Sequence, residues 1–273
     1  MIGINTSVDA KCADMHAVLN EIAAAGFGGV MIHEKAGDLC GTIKYAQSLS
    51  LEIPFVHLEY DNLMDLWSPD KLARDREMAH KIKSMEICAQ HGIKTVVIHP
   101  IHLRHGAPFD QDRAIGLASF NELASVAKRI DMKIALENLD RYNIDALYFL
   151  LDNIAVPNVG LCFDAGHWYL WRPGDDMPIL DKYGTRLFAI HLQDNIREPF
   201  GADDQHLIPG DGKIDFPRVM RAIAQTGYRG CTMLEVRRIN FHHDFIYNYP
   251  NLTRPQFLAR AKSVALELSK YTQ

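Results

Sequence analysis

Seven short apolar runs in this chain end on a side chain that can bind a divalent metal ion. They are Gly29–His33, Ile53–His57, Thr95–His99, Lys133–Glu137, Val159–Asp164, Leu187–His191 and Cys231–Glu235. Glu137, Asp164, His191 and Glu235 close successive runs and supply three carboxylates and one imidazole. Such an oxygen-rich set suits one Mn²⁺, Mg²⁺, Co²⁺ or Zn²⁺ ion. A softer site would use thiolates, but Cys162 and Cys231 lie inside runs and read as packing residues. A lone histidine at a strand end is ordinarily a hydrogen-bonded rim residue. Seven endings of this kind form a pattern, and the acids sharpen it. Several carboxylates buried together without a cation would be protonated or cost several kcal/mol. A divalent ion removes that conflict and offers Lewis-acid chemistry.

Bringing these residues together requires a particular architecture. The runs are short and rich in β-branched residues, as strands buried on both faces are. An eighth run, Ile2–Asn5, precedes them. Helical patterns fill the intervals. Asp14 is expected to cap a helix through Val18, Ile22 and Ala23 that Gly26 stops. Ser68-Pro69 reads as a helix start, with Leu72, Met78, Ala79, Ile82, Met85 and Ala89 as one buried stripe and Gly92 as the stop. Ile115, Leu123, Val126, Ala127 and Ile130 repeat that spacing, Asp215 with Pro217 marks another start, and a last helix begins near Thr253-Arg-Pro. Eight strands, each followed by a helix or room for one, predict an α/β fold: a single (β/α)8 barrel spanning residues 1–273. A doubly wound open sheet would carry a glycine-rich phosphate turn after its first strand. Asn5-Thr-Ser-Val-Asp9 stands there instead. In a closed barrel the strand ends converge on one mouth, so the seven endings would meet.

Composition narrows the setting. With 48% hydrophobic and 23% charged residues the chain is an ordinary globular one, not a disordered one. Apolar stretches such as Thr95–Ile98 fall far short of the ~20 residues of a membrane helix, so no membrane partner is expected. No basic start followed by an apolar run is visible. Five scattered cysteines give neither a disulfide framework nor a C-x-x-C pair, which fits a reducing cytoplasm. A formal net charge of −5 gives no general attraction for nucleic acid.

The segments Ala135-Leu-Glu-Asn138, Gly160-Leu-Cys-Phe-Asp-Ala-Gly-His167, Ile190-His-Leu-Gln-Asp194, His206-Leu-Ile-Pro-Gly-Asp-Gly-Lys-Ile-Asp215 and Leu234-Glu235 resemble the sugar phosphate isomerase/epimerase group of xylose-isomerase-like barrels. The order of these segments carries the resemblance, which spans nearly the whole chain. It implies that Glu137, Asp164, His191 and Glu235 hold one divalent metal and that His167 contacts substrate. Ketose epimerases of the group carry an arginine six residues after the metal histidine, the place of Arg197. Endonuclease IV, a sister family with up to three zinc ions, is similar in a wider ligand pattern that His57, His99, Asp204 and His206 extend. The lysine that family places soon after the strand-seven histidine is missing, since Asp194-Asn-Ile196 stands there.

Two expectations follow from the resemblance. The first is isomerisation or epimerisation of a small sugar, sugar phosphate or polyol, with Glu137 and Glu235 moving a proton through an enediolate and His167 and Arg197 holding substrate oxygens. The alternative is zinc-assisted phosphodiester hydrolysis at abasic sites, with DNA as partner. A homo-oligomer is compatible with either. Trp67, Trp168, Tyr169 and Trp171 read equally as pocket wall or core. His102, Arg104 and His105 read as a solvated loop, His242 and His243 as solvent-facing or subunit contacts, and His33 as pocket rim.

Overall fold

Runs of alternating small and β-branched residues, each followed by an amphipathic segment, fold here into a repeating strand–helix chain. The computed structural model describes residues 1–9, 14–58, 61–102, 109–139, 143–154, 156–171, 176–196, 204–240 and 248–272. In order they form β1 (Ile2–Asn5), α1 (Met15–Ala24), β2 (Gly29–His33), α2 (Leu39–Ser48), β3 (Val56–His57), α3 (Lys71–Gln90), β4 (Thr95–Ile98), α4 (Phe109–Arg129), β5 (Lys133–Glu137), α5 (Ile144–Asn153), β6 (Val159–Asp164), α6 (Ala165–Trp171), α7 (Pro178–Tyr183), β7 (Leu187–His191), α8 (Phe216–Gln225), β8 (Thr232–Leu234) and α9 (Arg254–Ser269). Every strand runs parallel to its neighbours in the order β7-β6-β5-β4-β3-β2-β1-β8. A parallel bridge between Leu192 and Leu234, just past β7 and at the end of β8, closes the circle. This is the expected (β/α)8 barrel. No helix among the described residues is long and apolar enough to cross a membrane.

The pleat sorts the side chains into two cores. Odd positions of β5, for example, point inward and even ones outward, as a period of two requires. Outward residues such as Ile134 and Leu136 pack beneath the helices. Met31, Phe55, Val97, Ala135, Cys162, Ala189 and Met233 form, with Cys231, a separate apolar plug inside the barrel. Each of the first seven lies two residues before one of the seven metal-competent endings. The metal-competent side chains are therefore the next inward layer, directly above the plug. Burial pushes the Cys162 and Cys231 thiols up to about 12, so both pack as neutral groups.

Several boundaries differ from the sequence expectation. β3 starts at Val56 rather than Ile53, because Pro54 has no amide hydrogen to give a sheet ladder. α3 is capped by Asp70, whose carboxylate accepts from the Leu72 and Ala73 amides at 2.9 and 3.4 Å, not by Ser68. Its buried face is also rotated. Leu72 is 70% exposed, whereas Ala73, Glu77, Lys81, Ser84 and Cys88 point inward with Met78 and Met85. Asp14, Asp215 and the Thr253/Gln256 capping box do start their helices.

Trp67 is fully buried and belongs to the core. Its ring lies over Gly116 of α4, where an added Cβ would come within 1.9 Å of Trp67 Cε3. An indole packed on several sides has no free rotamer to move into, so Gly116→Ala should destabilise by about 1–3 kcal/mol through overpacking. Thermal unfolding checks this, at roughly 2–4 °C per kcal/mol for a chain of this size; an unchanged melting temperature would show that the indole yields.

Candidate metal centre

The barrel mouth gathers nine of the ten residues singled out as ligands or substrate contacts. Glu137 lies at their centre, with no solvent exposure. Its Oε2 is 3.1 Å from His57 Nε2, 3.2 Å from His99 Nε2 and 3.3 Å from His191 Nδ1. His191 Nδ1 is also 3.0 Å from Glu235 Oε2 and 3.8 Å from Asp164 Oδ2. Glu137, Asp164, His191 and Glu235 thus offer four ligand atoms within 4.8 Å of one another. On one side lies the set His57, His99 and Glu137; on the other lies His167, Asp204 and His206. Arg197 falls outside the described residues, as do Arg104, His105, His242 and His243.

Tautomers are fixed by backbone carbonyls, which only accept. His57 Nδ1–H donates to Leu58 O at 3.0 Å, His167 Nδ1–H to Asn138 O at 3.1 Å, and His206 Nδ1–H to Glu235 O at 2.7 Å. Each ring therefore turns its Nε2 towards its cluster, the orientation of metal-ligating histidines. His167 Nε2 and His206 Nε2 both face Asp204 Oδ2, at 3.1 and 2.7 Å. His206 holds this position with φ of 53°, in the left-handed region that non-glycine residues seldom adopt. Backbone strain of this kind collects at functional positions.

Electrostatics point the same way. Burial raises the Glu137 and Glu235 carboxyls, but the neighbouring imidazoles, His191 first, outweigh it and hold both well below the usual range. Burial pushes Asp164 up to about 7, opposed by His167 and reinforced by the charges of Glu137 and Glu235. Asp204 sits well below the usual range because His206 and His167 overcome its burial. Burial depresses His167 and His191, yet Asp164 and Asp204 draw the first, and Cys162, Glu137 and Glu235 the second, well above an ordinary imidazole. Asp164 Oδ2, Glu235 Oε2 and both ring nitrogens of His191 are buried without a hydrogen bond of good geometry. Converging acceptors that leave such atoms unsatisfied fit a divalent metal, which supplies the cation they share.

Four neighbouring residues do more than their sequence reading assigned. His33 reaches past the rim: it stacks on His57 with ring centroids 4.9 Å apart, and its Nε2 is 3.7 Å from Glu235 Oε1. Asn138 clasps the Asp164 backbone, accepting from its amide and donating to its carbonyl at 2.9 Å each. Gln193 lies two residues beyond His191, the next inward step, and that period was the available signal. Asp194, standing near the missing lysine, accepts from the amides of Asn195, Gly210, Gly212 and Ile214 at 2.8–3.1 Å. It is a loop clamp. Gly212 permits the approach, since a Cβ there would lie 2.3 Å from Asp194 Oδ1. His102 is buried rather than solvated, set edge-on to Trp67 at 5.2 Å. Trp168 is buried as well, donating through Nε1 to the Asp176 carbonyl.

A parallel barrel that gathers buried histidines and carboxylates at its C-terminal mouth defines a TIM barrel with a candidate metal centre. The xylose isomerase-like TIM barrel family matches residues 19–256, and the chain belongs to that family. The uncharacterized protein y4fM of Sinorhizobium fredii is 33% identical over 156 residues, 56% of this chain and 46% of that protein. An inosose isomerase of Bacillus velezensis is 26% identical over 176 residues, 61% of this chain and 62% of its own length. These matches span about half to three-fifths of the relatives. Among solved structures, the IolI protein with a zinc atom superposes with a TM-score of 0.80 at 20% identity, covering 99% of both chains. That likeness is one of fold.

Proposed function

We propose that this chain is a divalent-metal-dependent isomerase or epimerase of a small sugar, sugar phosphate or related polyol. The observation that carries the reading is the placement of two buried carboxylates, Glu137 and Glu235, at 3.3 and 3.0 Å from the same His191 nitrogen but on different sides of the mouth. The resemblance to an inosose isomerase, an enzyme named for a polyol ketone, supports it. A metal held by Glu137, Asp164, His191 and Glu235 supplies Lewis acidity beside a substrate carbonyl.

The two carboxylates are not equivalent. Glu137 has Oε2 beside three imidazoles, while its Oε1 is buried 3.1 Å from His167 Nδ1 without a hydrogen bond of good geometry. Glu235 directs Oε2 to His191 and has Oε1 on the side of His33. Glu235 is the better placed to take a proton from the carbon beside the carbonyl and to return one. Glu137 serves on the opposite face and mainly anchors the centre. His167, and by its motif position Arg197, hold substrate hydroxyl or phosphate oxygens.

A second reading, phosphodiester hydrolysis at abasic sites, is favoured by one observation: the flanking clusters His57/His99/Glu137 and His167/Asp204/His206 are both complete, as a three-zinc centre needs. The net charge of −5 and the clamp role of Asp194 weigh against a DNA groove at this mouth. The test combines metal content of protein purified without added metal or chelator with two assays. Inososes and ketohexoses in D2O, followed by NMR, should lose the C–H signal beside the carbonyl. No exchange in that panel, together with two or three zinc ions and salt-sensitive cleavage of abasic duplex, would overturn the first reading in favour of the second.

A further inference from the structure

Gln193 occupies an unusual place between two of these clusters. It is fully buried just beyond β7. Its Nε2 carries two hydrogens, and two carboxylates from different clusters lie within their reach. Asp164 Oδ1 is 3.3 Å away and Asp204 Oδ1 is 2.9 Å away. The amide orientation is fixed, because Gln193 Oε1 accepts from Asn195 Nδ2 at 2.5 Å. Asn195 is itself locked, accepting through Oδ1 from the Gln205 amide at 2.6 Å.

The consequence concerns the other oxygen of each acid. With Oδ1 of Asp164 held by Gln193 and by the His167 amide at 2.7 Å, Oδ2 is turned towards His191 and the Glu137 cluster. With Oδ1 of Asp204 held by Gln193, and by Asn195 Nδ2 at 3.4 Å, Oδ2 faces His167 and His206. One neutral amide is thus the donor that the two carboxylates share, and with the His167 amide and Asn195 Nδ2 it sets which oxygen each offers to a cation. A carboxylate here would add charge to two acids, and an aliphatic group would leave Asp164 Oδ1 to the His167 amide alone and Asp204 Oδ1 to the longer Asn195 contact alone. The fold makes room for it: an added Cβ at Gly166 of α6 would lie 2.1 Å from Gln193 Cδ.

We propose that Gln193 is a positioning residue that couples two metal-binding clusters, Glu137/Asp164/His191/Glu235 and His167/Asp204/His206, by orienting one carboxylate of each. This rests on the metal reading of the mouth with both clusters occupied, in which His167 is a ligand rather than a substrate contact. Partners of this kind, hydrogen-bonded to the ligands of an ion, are typically worth 10–100-fold in metal affinity.

The experiment titrates Zn²⁺ into chelator-stripped protein against a chromophoric competitor. Asp164→Asn and Asp204→Asn assign the two binding steps. Gln193→Met keeps the bulk and removes both donors, so each step should weaken about 10-fold or more. Gly166→Ala, which leaves the amide present but displaced, should weaken the same two steps and keeps the proposal testable should Gln193→Met not fold. A variant that folds, by circular dichroism, and binds zinc at both steps as the parent does overturns the proposal. So does weakening of one step alone, or a parent with a single step. Failure of the metal reading itself looks different: the parent then takes up no zinc.

Discussion

Glu137→Gln is expected to lose at least 10²-fold in turnover and most of its bound metal while remaining folded. Oε2 of this residue faces nitrogens of His57, His99 and His191, and Oε1 faces His167. An amide keeps the shape but removes the charge, and one of its ends would present hydrogens where a cation belongs. Glu235→Gln should lose turnover by a similar factor yet retain more metal, because Glu137, Asp164 and His191 remain as a set. Elemental analysis and saturating turnover, measured on both variants, separate the two effects. Near-normal turnover in Glu137→Gln would remove it from the chemistry. Folding should tolerate the change, since a buried carboxylate is costly to keep in place.

The largest expected loss of stability lies away from the mouth, at Lys81. This lysine is fully buried, with Nζ 3.1 Å from Glu77 Oε1 and 3.8 Å from Glu34 Oε2. Glu34 also meets His80 Nε2 at 3.0 Å and accepts from the Ser84 hydroxyl. Lys81→Met would leave two buried carboxylates without their ammonium, a change that costs about 3–5 kcal/mol in such settings. Denaturant unfolding should register that loss, and melting should fall by roughly 6–20 °C. Replacing Lys81 and Glu77 together with Met and Leu should recover most of it, because an apolar pair of similar volume often equals a buried ion pair. A Lys81→Met protein as stable as the parent would mean that water or a shifted side chain satisfies Glu77 and Glu34.

The same helix shows where sequence reading stops. Apart from a register shift between β6 and β7, the strands keep the period of two, so Val97 and His99, or Ala135 and Glu137, declare a plug residue and a metal-competent side chain above it. The barrel and the convergence of metal-competent side chains at its mouth were legible for that reason. On α3 the apolar residues Leu72 and Ala79 are exposed while Glu77, Lys81 and Ser84 are buried, because charged groups there neutralise one another in space. Hydropathy cannot report a pairing that depends on Glu34, some forty residues away. Gln193 escaped for a related reason: its two acceptors come from β6 and from the loop after β7, and only the folded register brings them to one amide. Asp194 looked like a substitution for a lysine, and its four amide partners belong to a turn whose closure no local pattern encodes.

The position of β8 between β1 and β7 bears on how the chain is made. Synthesis is vectorial, so β1 through β7 leave the ribosome before any partner for the outer edges of β1 and β7 exists. A seven-stranded intermediate carries two open edges, each a template for pairing with another nascent chain. Glu235 arrives with that same final strand, so the fourth member of the central acid cluster joins only as the circle closes. A chain truncated before β8 would be left with two open edges and without the carboxylate that completes the candidate metal set at the mouth.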